Sequence, residues 1–420
     1  MPKRVSYFGI RRRSFLLQLM LLCCLLQLNA HAGQKNVWLG GAVFLLSDND
    51  NTTKVFIDRY GFLYPQKKHG IYIPYSGFNN QKPKLDEYQI DDCCMKSDIL
   101  GGDFLNSSLI KYFGYDGTHG EWEKLKQSYQ YNEDANLNYL HNFFLLQEKM
   151  TKSIADEIID KFTKSQANTL VLLIHGYNDV LPDFYSMIQK DVSANGNIKP
   201  YFIEVYWDGL TANNGNPAFK QIWGKAQFNT RFVGLRLRKM LSYLPNTYTI
   251  KVITHSLGAS VANFAFFNAY NFAGKNPDNI IYTSFYSRYD TIVSKHHNVT
   301  LGMVAPAIPY TSYNTLTRNS DGYFPIRKIL VCYNENDYAL TKMKIFGANM
   351  LGNTSLGCNW KGSINELRQV LYMNQFDTNN YIPSNFTKHS NTRSNLEQHG
   401  YWYYMQRSGL YTAFLQRLLN

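Results

Sequence analysis

Charge is scarce in this chain: only 18% of its 420 residues are Asp, Glu, Lys or Arg, while 45% are hydrophobic and 15% aromatic. So little charge beside so much apolar side chain excludes a disordered or coiled-coil protein and indicates a globular one. Long hydrophobic runs are missing after Leu28, so no later segment is expected to cross a membrane. A glycine-rich phosphate loop and a dinucleotide fingerprint are also missing, and no cofactor is expected. Metal ligation has little behind it: His296 and His297 are neighbours that point different ways on most backbones, with no Cys or acid at ligand spacing, so no metal site is expected. There is no internal repeat and no low-complexity tract.

What is present begins with a leader. Lys3, Arg4, Arg11, Arg12 and Arg13 precede the apolar run Phe15 to Leu28, and Ala30-His31-Ala32 offers a small-residue cleavage site, so residues 1–32 read as a signal peptide. Without those five cations the net charge falls from +12 to +7, on a mature chain of 388 residues starting at Gly33. An excess of that size does not call for nucleic acid, and transient contact with a membrane surface stays open. Arg12-Arg13-Ser14-Phe15-Leu16 resembles a twin-arginine export signal, whereas the Leu-rich run after it suits the general secretory route better. A retained membrane anchor is the third option. The expected location is therefore secreted or periplasmic. Once Cys23 and Cys24 leave with the leader, Cys93, Cys94, Cys332 and Cys358 remain in a setting where disulfides form. Three pairings are open, with Cys332–Cys358 preferred because bonding two adjacent cysteines strains the backbone, and four reduced thiols are the alternative.

Residues 33–130 are rich in Tyr, Gly, Asn and short β-prone runs, such as Val37 to Leu46, Lys54 to Tyr60 and Gly70 to Tyr75. They predict an irregular, strand-rich region of unassigned role. Over residues 131–420 the pattern changes. Leu137, Leu140, Phe144, Ile154, Ile158 and Phe162 fall at helical spacing, and after them buried-strand runs alternate with helical segments. The expected strands are Leu170 to Ile174, Tyr201 to Tyr206, Tyr248 to Ile253, Asn298 to Val304, Arg327 to Tyr333 and a late one at Gln369 to Met373. The expected helices are Phe184 to Val192, one from Pro217, Leu257 to Asn271, and a last one with Leu410, Phe414 and Leu418 on one face. This alternation predicts an α/β fold with a mostly parallel central sheet and helices on both faces.

The sharpest chemical signal is Thr254-His255-Ser256-Leu257-Gly258, set between an apolar strand and an apolar helix. A serine on such a tight strand-to-helix turn is an exposed nucleophile, and the crowded turn requires small residues two before and two after it. Gly258 obeys; Thr254 departs. Upstream, Leu170 to Ile174 runs into His175-Gly176-Tyr177-Asn178, where the glycine lets the backbone turn and present the N–H of Tyr177. With the N–H of Leu257 this forms an expected oxyanion hole. His175 precedes the nucleophile and reads as a structural histidine. A base and an orienting acid are then expected downstream. Asp337 stands just past the strand ending at Tyr333, with Glu335 as its competitor. His399, in the polar loop before Tyr401-Trp402-Tyr403, is preferred over His389 as the base.

His175-Gly176-Tyr177-Asn178, Tyr206-Trp207, the pentapeptide around Ser256, Ala305-Pro306-Ala307, and Tyr333 with Asp337-Tyr338-Ala339-Leu340 together resemble the α/β-hydrolase superfamily. Within it they resemble a bacterial esterase- or lipase-like group of largely unknown function. The resemblance covers about residues 165–420 and implies Ser256, Asp337 and His399 as a triad. The stretch Gly274 to His297 departs from it, as a lid or a surface insertion. The expected activity is hydrolysis of a carboxylic ester, from a lipid or another acyl ester, by an acyl-enzyme route. A peptidase or acyltransferase would use the same machinery, and a non-catalytic scaffold acting as a binding protein is the rival of a different class.

Overall fold

The computed structural model describes residues 49–71, 121–177, 182–207, 219–267, 298–314, 324–337, 354–387 and 397–420, with positions 46, 109, 110, 113, 209, 296 and 339–341 between them. The expected leader, Cys93, Cys94, His297, His389 and all but His296 of the Gly274 to His297 stretch lie outside those residues.

Seven strands form one sheet in the order β1-β3-β2-β4-β5-β6-β7, and every neighbouring pair runs parallel. They are β1 (Thr52–Ile57), β2 (Thr169–Ile174), β3 (Pro200–Trp207), β4 (Thr249–His255), β5 (Val299–Val304), β6 (Ile326–Tyr333) and β7 (Tyr381–Asn385). The inner strands read as unbroken apolar runs because helices cover both faces; all six residues of β2 and all six of β5 are buried. The helices are α1 (Glu121–Ser128), α2 (Tyr139–Lys164), α3 (Phe184–Ser193), α4 (Phe219–Ser242), α5 (Gly258–Phe266), α6 (Ser363–Met373), α7 (Tyr401–Met405) and α8 (Ser408–Leu419). Among the described residues no helix is long and apolar enough to cross a membrane.

Strand order locates the working edge. From β2 the chain moves through α3 to β3 on one side, then returns through α4 to β4 on the other side of β2. The carboxyl ends of β2 and β4 thus flank a point where the winding reverses, and loops leaving such a point splay apart to open a crevice.

From the stretch before residue 131, β1 joins the same sheet. β1 pairs with β3 from Thr52↔Phe202 to Ile57↔Trp207, and Phe62, just beyond it, packs on Phe143 and Phe144 of α2. The buried guanidinium of Arg236 on α4 fastens this region. Its Nε–H donates to the Gly61 carbonyl at 2.7 Å, and an Nη1–H donates to Thr151 Oγ1 at 2.9 Å. Among its described residues, the region expected to be strand-rich holds one strand of the sheet and the helix α1.

Three expectations need correction. Gln369 to Met373 is the end of α6, where Ile364, Leu367 and Leu371 bury a face at helical spacing. The late strand is β7, which tolerates Pro383 at the sheet margin. On α8 the buried face is Tyr411, Phe414, Leu415, Leu418 and Leu419, while Leu410 is exposed. Cys332 and Cys358 are both buried and are not joined to each other in a disulfide.

Candidate active site

β4 ends at His255 and α5 begins at Gly258, so Ser256 and Leu257 alone make the turn between them. The Ser256 φ of 52° is left-handed, a conformation that costs a residue with a side chain on the order of 1 kcal/mol or more and persists only where neighbours enforce it. Here they do. The Ser256 N–H donates to the Val304 carbonyl at 2.9 Å, and the Ser256 carbonyl accepts the Ala307 N–H at 3.0 Å. Ala305-Pro306-Ala307 therefore supports the elbow directly, with Ala305 itself at φ 48°.

Two glycines let β2 and the elbow touch. A Cβ on Gly258 would lie 2.5 Å from the carbonyl oxygens of both Ile174 and His175, and one on Gly176 would lie 2.8 Å from Ser256 Cβ. Thr254 is fully buried between β2 and β5, so its bulk is accommodated and the departure from glycine leaves the turn intact.

The residues predicted downstream arrive at this serine. His399 lies on the single helical turn Glu397–His399, and its Nε2 is 2.9 Å from Ser256 Oγ. Its Nδ1 is 2.8 Å from Asp337 Oδ2. Because a carboxylate only accepts, Nδ1 carries the proton, and Nε2 is left to accept from the serine hydroxyl. Asp337 is fully buried in the loop after β6, and its other oxygen takes the Leu340 N–H at 3.0 Å. Both oxygens are thereby fixed. Glu335 is exposed and accepts from Asn359 Nδ2 at 2.9 Å, which excludes it as the partner of His399.

His175 has the structural role read from sequence. Its Nδ1–H donates to the Gly176 carbonyl at 2.8 Å, its Nε2 accepts the Trp207 N–H at 3.0 Å, and the Trp207 indole N–H donates to the His175 carbonyl at 2.8 Å. These bonds hold the loop that carries Tyr177 beside the serine. The N–H of Leu257 stands at the start of α5, and no acceptor pairs with it among the described residues. It is oriented by the same helix that follows Ser256.

Burial pushes the His175 imidazole down from 6.5 to about 4. The unfolded chain therefore binds a proton near pH 6.5 that the folded chain refuses until about pH 4, so stability present above pH 6.5 is lost as pH falls through that window. The full window corresponds to roughly 3 kcal/mol. In urea unfolding, the stability gap between the native sequence and His175→Gln is expected to narrow as pH drops from 7 towards 4. A gap that is constant with pH would contradict this account of His175.

Comparison with protein-family models, curated proteins and solved structures returns no match. The site thus stands on its own geometry: an acceptor, an imidazole and a hydroxyl in unbroken hydrogen-bonding order on one edge of a parallel sheet. His296 is elsewhere, with its Nε2–H on the Leu241 carbonyl at 3.0 Å. One neighbour was not singled out from sequence. His255, the residue before Ser256, donates from Nε2–H to the His399 carbonyl at 2.8 Å. Its only sequence signal was a titratable side chain at a variable position of the pentapeptide.

Proposed function

We propose that this chain is a serine hydrolase of α/β-hydrolase fold that cleaves a carboxylic ester, of a lipid or another acyl compound, through an acyl-enzyme. The observation that carries the reading is the relay itself, Asp337 Oδ2 to His399 Nδ1 at 2.8 Å and His399 Nε2 to Ser256 Oγ at 2.9 Å. The parallel sheet supports it, with the serine after β4, the acid after β6 and the histidine beyond β7.

In the first half-reaction His399 Nε2 takes the hydroxyl proton as Ser256 Oγ attacks the ester carbonyl. Asp337 stabilises the imidazolium that results. The carbonyl oxygen, now negative, is held by the N–H groups of Tyr177 and Leu257. The imidazolium returns its proton to the departing alkoxide, which leaves as an alcohol. A water molecule, deprotonated by the same nitrogen, then attacks the acyl-serine, and the imidazolium returns that proton to Ser256 Oγ as the acid leaves. A scaffold kept only for binding has no need of a left-handed serine or of a carboxylate with both oxygens engaged.

A series of p-nitrophenyl acyl esters tests the activity. Hydrolysis by the purified chain that Ser256→Ala abolishes, with the thermal midpoint retained, is the expected result. Equal rates for the two proteins would exclude this reading.

A further inference from the structure

The hydrogen bond from His255 to the backbone of His399 spans 144 residues of sequence and closes a ring of contacts around the base. The circuit runs from Ser256 Oγ to the His399 imidazole, through His399 to its own carbonyl oxygen, across to His255 Nε2, and back along one peptide bond to Ser256. We propose that His255 is a positioning residue, whose Nε2–H fixes the backbone of His399 so that the imidazole of the base stays aligned with Ser256 and Asp337. The proposal rests on the serine hydrolase reading and assigns a new role within that site.

His399 needs such an anchor from outside its own element. It lies on a helical turn of three residues, Glu397–His399, and so short a turn has little stability of its own. At the front of the ring, Asp337 and Ser256 hold the two nitrogens. At the back, His255 holds the carbonyl. A base fixed at both ends cannot swing away when its hydrogen bond to the serine breaks during acyl transfer, and small misplacements at such a site are costly.

The ring of His255 is suited to the task. A carbonyl accepts only, so Nε2 must carry the proton. Burial and the neighbouring His399 push the His255 imidazole down to about 3, which keeps it neutral. No second cation therefore forms beside the imidazolium that His399 becomes in the reaction. The plane of the ring is set by edge contacts with Phe184 at 5.6 Å and Tyr401 at 5.8 Å, and those two rings stack on each other at 4.7 Å. Phe184 begins α3, Tyr401 begins α7 and His255 itself ends β4, so three separate elements determine where Nε2 points.

A purely packing role predicts something different, and His255→Phe and His255→Gln separate the two. Phenylalanine keeps an aromatic ring against Phe184 and Tyr401 and removes the donor; glutamine restores an N–H near the position of Nε2. With a fluorophosphonate probe on the full chain, His255→Phe is expected to label Ser256 about 10- to 100-fold more slowly than the native sequence. His255→Gln is expected to recover most of that rate. A second readout does not depend on catalysis: the far-downfield proton resonance of His399 Nδ1–H against Asp337 should persist in the native sequence and His255→Gln and broaden away in His255→Phe. Labelling at the native rate with the resonance retained in His255→Phe would overturn the proposal, as would equal slowing in both variants. If the native chain fails to label while the resonance still follows the donor, the hydrolase reading falls and the positioning role stands.

Discussion

His399→Ala is expected to lower ester hydrolysis by a factor on the order of 10⁴ or more, with KM little changed. The loss falls on kcat because the imidazole acts on the serine proton, not on the bound ester. Among the described residues no neighbouring histidine can take its place. His175 has both ring nitrogens engaged, and the proton of His255 faces a carbonyl that stays where it is. Asp337→Asn should cost nearly as much for a different reason. The Leu340 N–H holds one side-chain oxygen, so the amide nitrogen of asparagine would face His399 Nδ1. That nitrogen would then have to accept, the proton would move to Nε2, and the base would point a donor at Ser256. Steady-state kinetics on the two variants, with circular dichroism to establish folding, check both statements. A residual rate within tenfold of the native chain for His399→Ala would mean that the base lies elsewhere, with His389 the next to substitute.

Gly258→Ala is expected to destabilise the fold by about 3 kcal/mol and to remove most of the activity, although the change is a single methyl group. The added carbon would sit 2.5 Å from two carbonyl oxygens at the end of β2. Neither belongs to a flexible side chain, so the backbone must move. The displaced segment is the one that carries His175 to Tyr177 past the serine, and the oxyanion donors separate with it. Gly196 and Gly409 serve as controls, since a Cβ on either meets nothing within 4 Å. Alanine at those positions should leave both the unfolding midpoint and the hydrolysis rate nearly unchanged. If Gly258→Ala behaves like the controls, the close approach of β2 to the elbow is not a constraint on the protein.

The convergence of Ser256, His399 and Asp337 in a candidate site was legible in the sequence because each part has a local marker. Strand-to-helix punctuation marks Ser256, a glycine after a buried strand marks the loop of Tyr177, Asp337 follows an apolar strand, and His399 stands just before the aromatic start of a late helix. Residues whose roles depend on distant partners were not legible. His255 gains its function from a carbonyl 144 residues away, which no window of sequence contains. Gln369 to Met373 misled because a short apolar run fits strand and helix alike. The burial of Ile364, Leu367 and Leu371 settles it as helix, and β7 hides behind a proline that only a marginal strand accepts. The role of β1 was hidden in the same way, since its partner β3 lies 150 residues downstream, at Thr52↔Phe202.

Mass spectrometry of the native chain after reaction with a fluorophosphonate tests the central claim most directly. The account predicts one adduct per chain, on the peptide containing Ser256, and none after Ser256→Ala. An adduct that persists in that variant and maps to Ser260, or a native chain that stays unmodified under conditions where other serine hydrolases react fully, would contradict it.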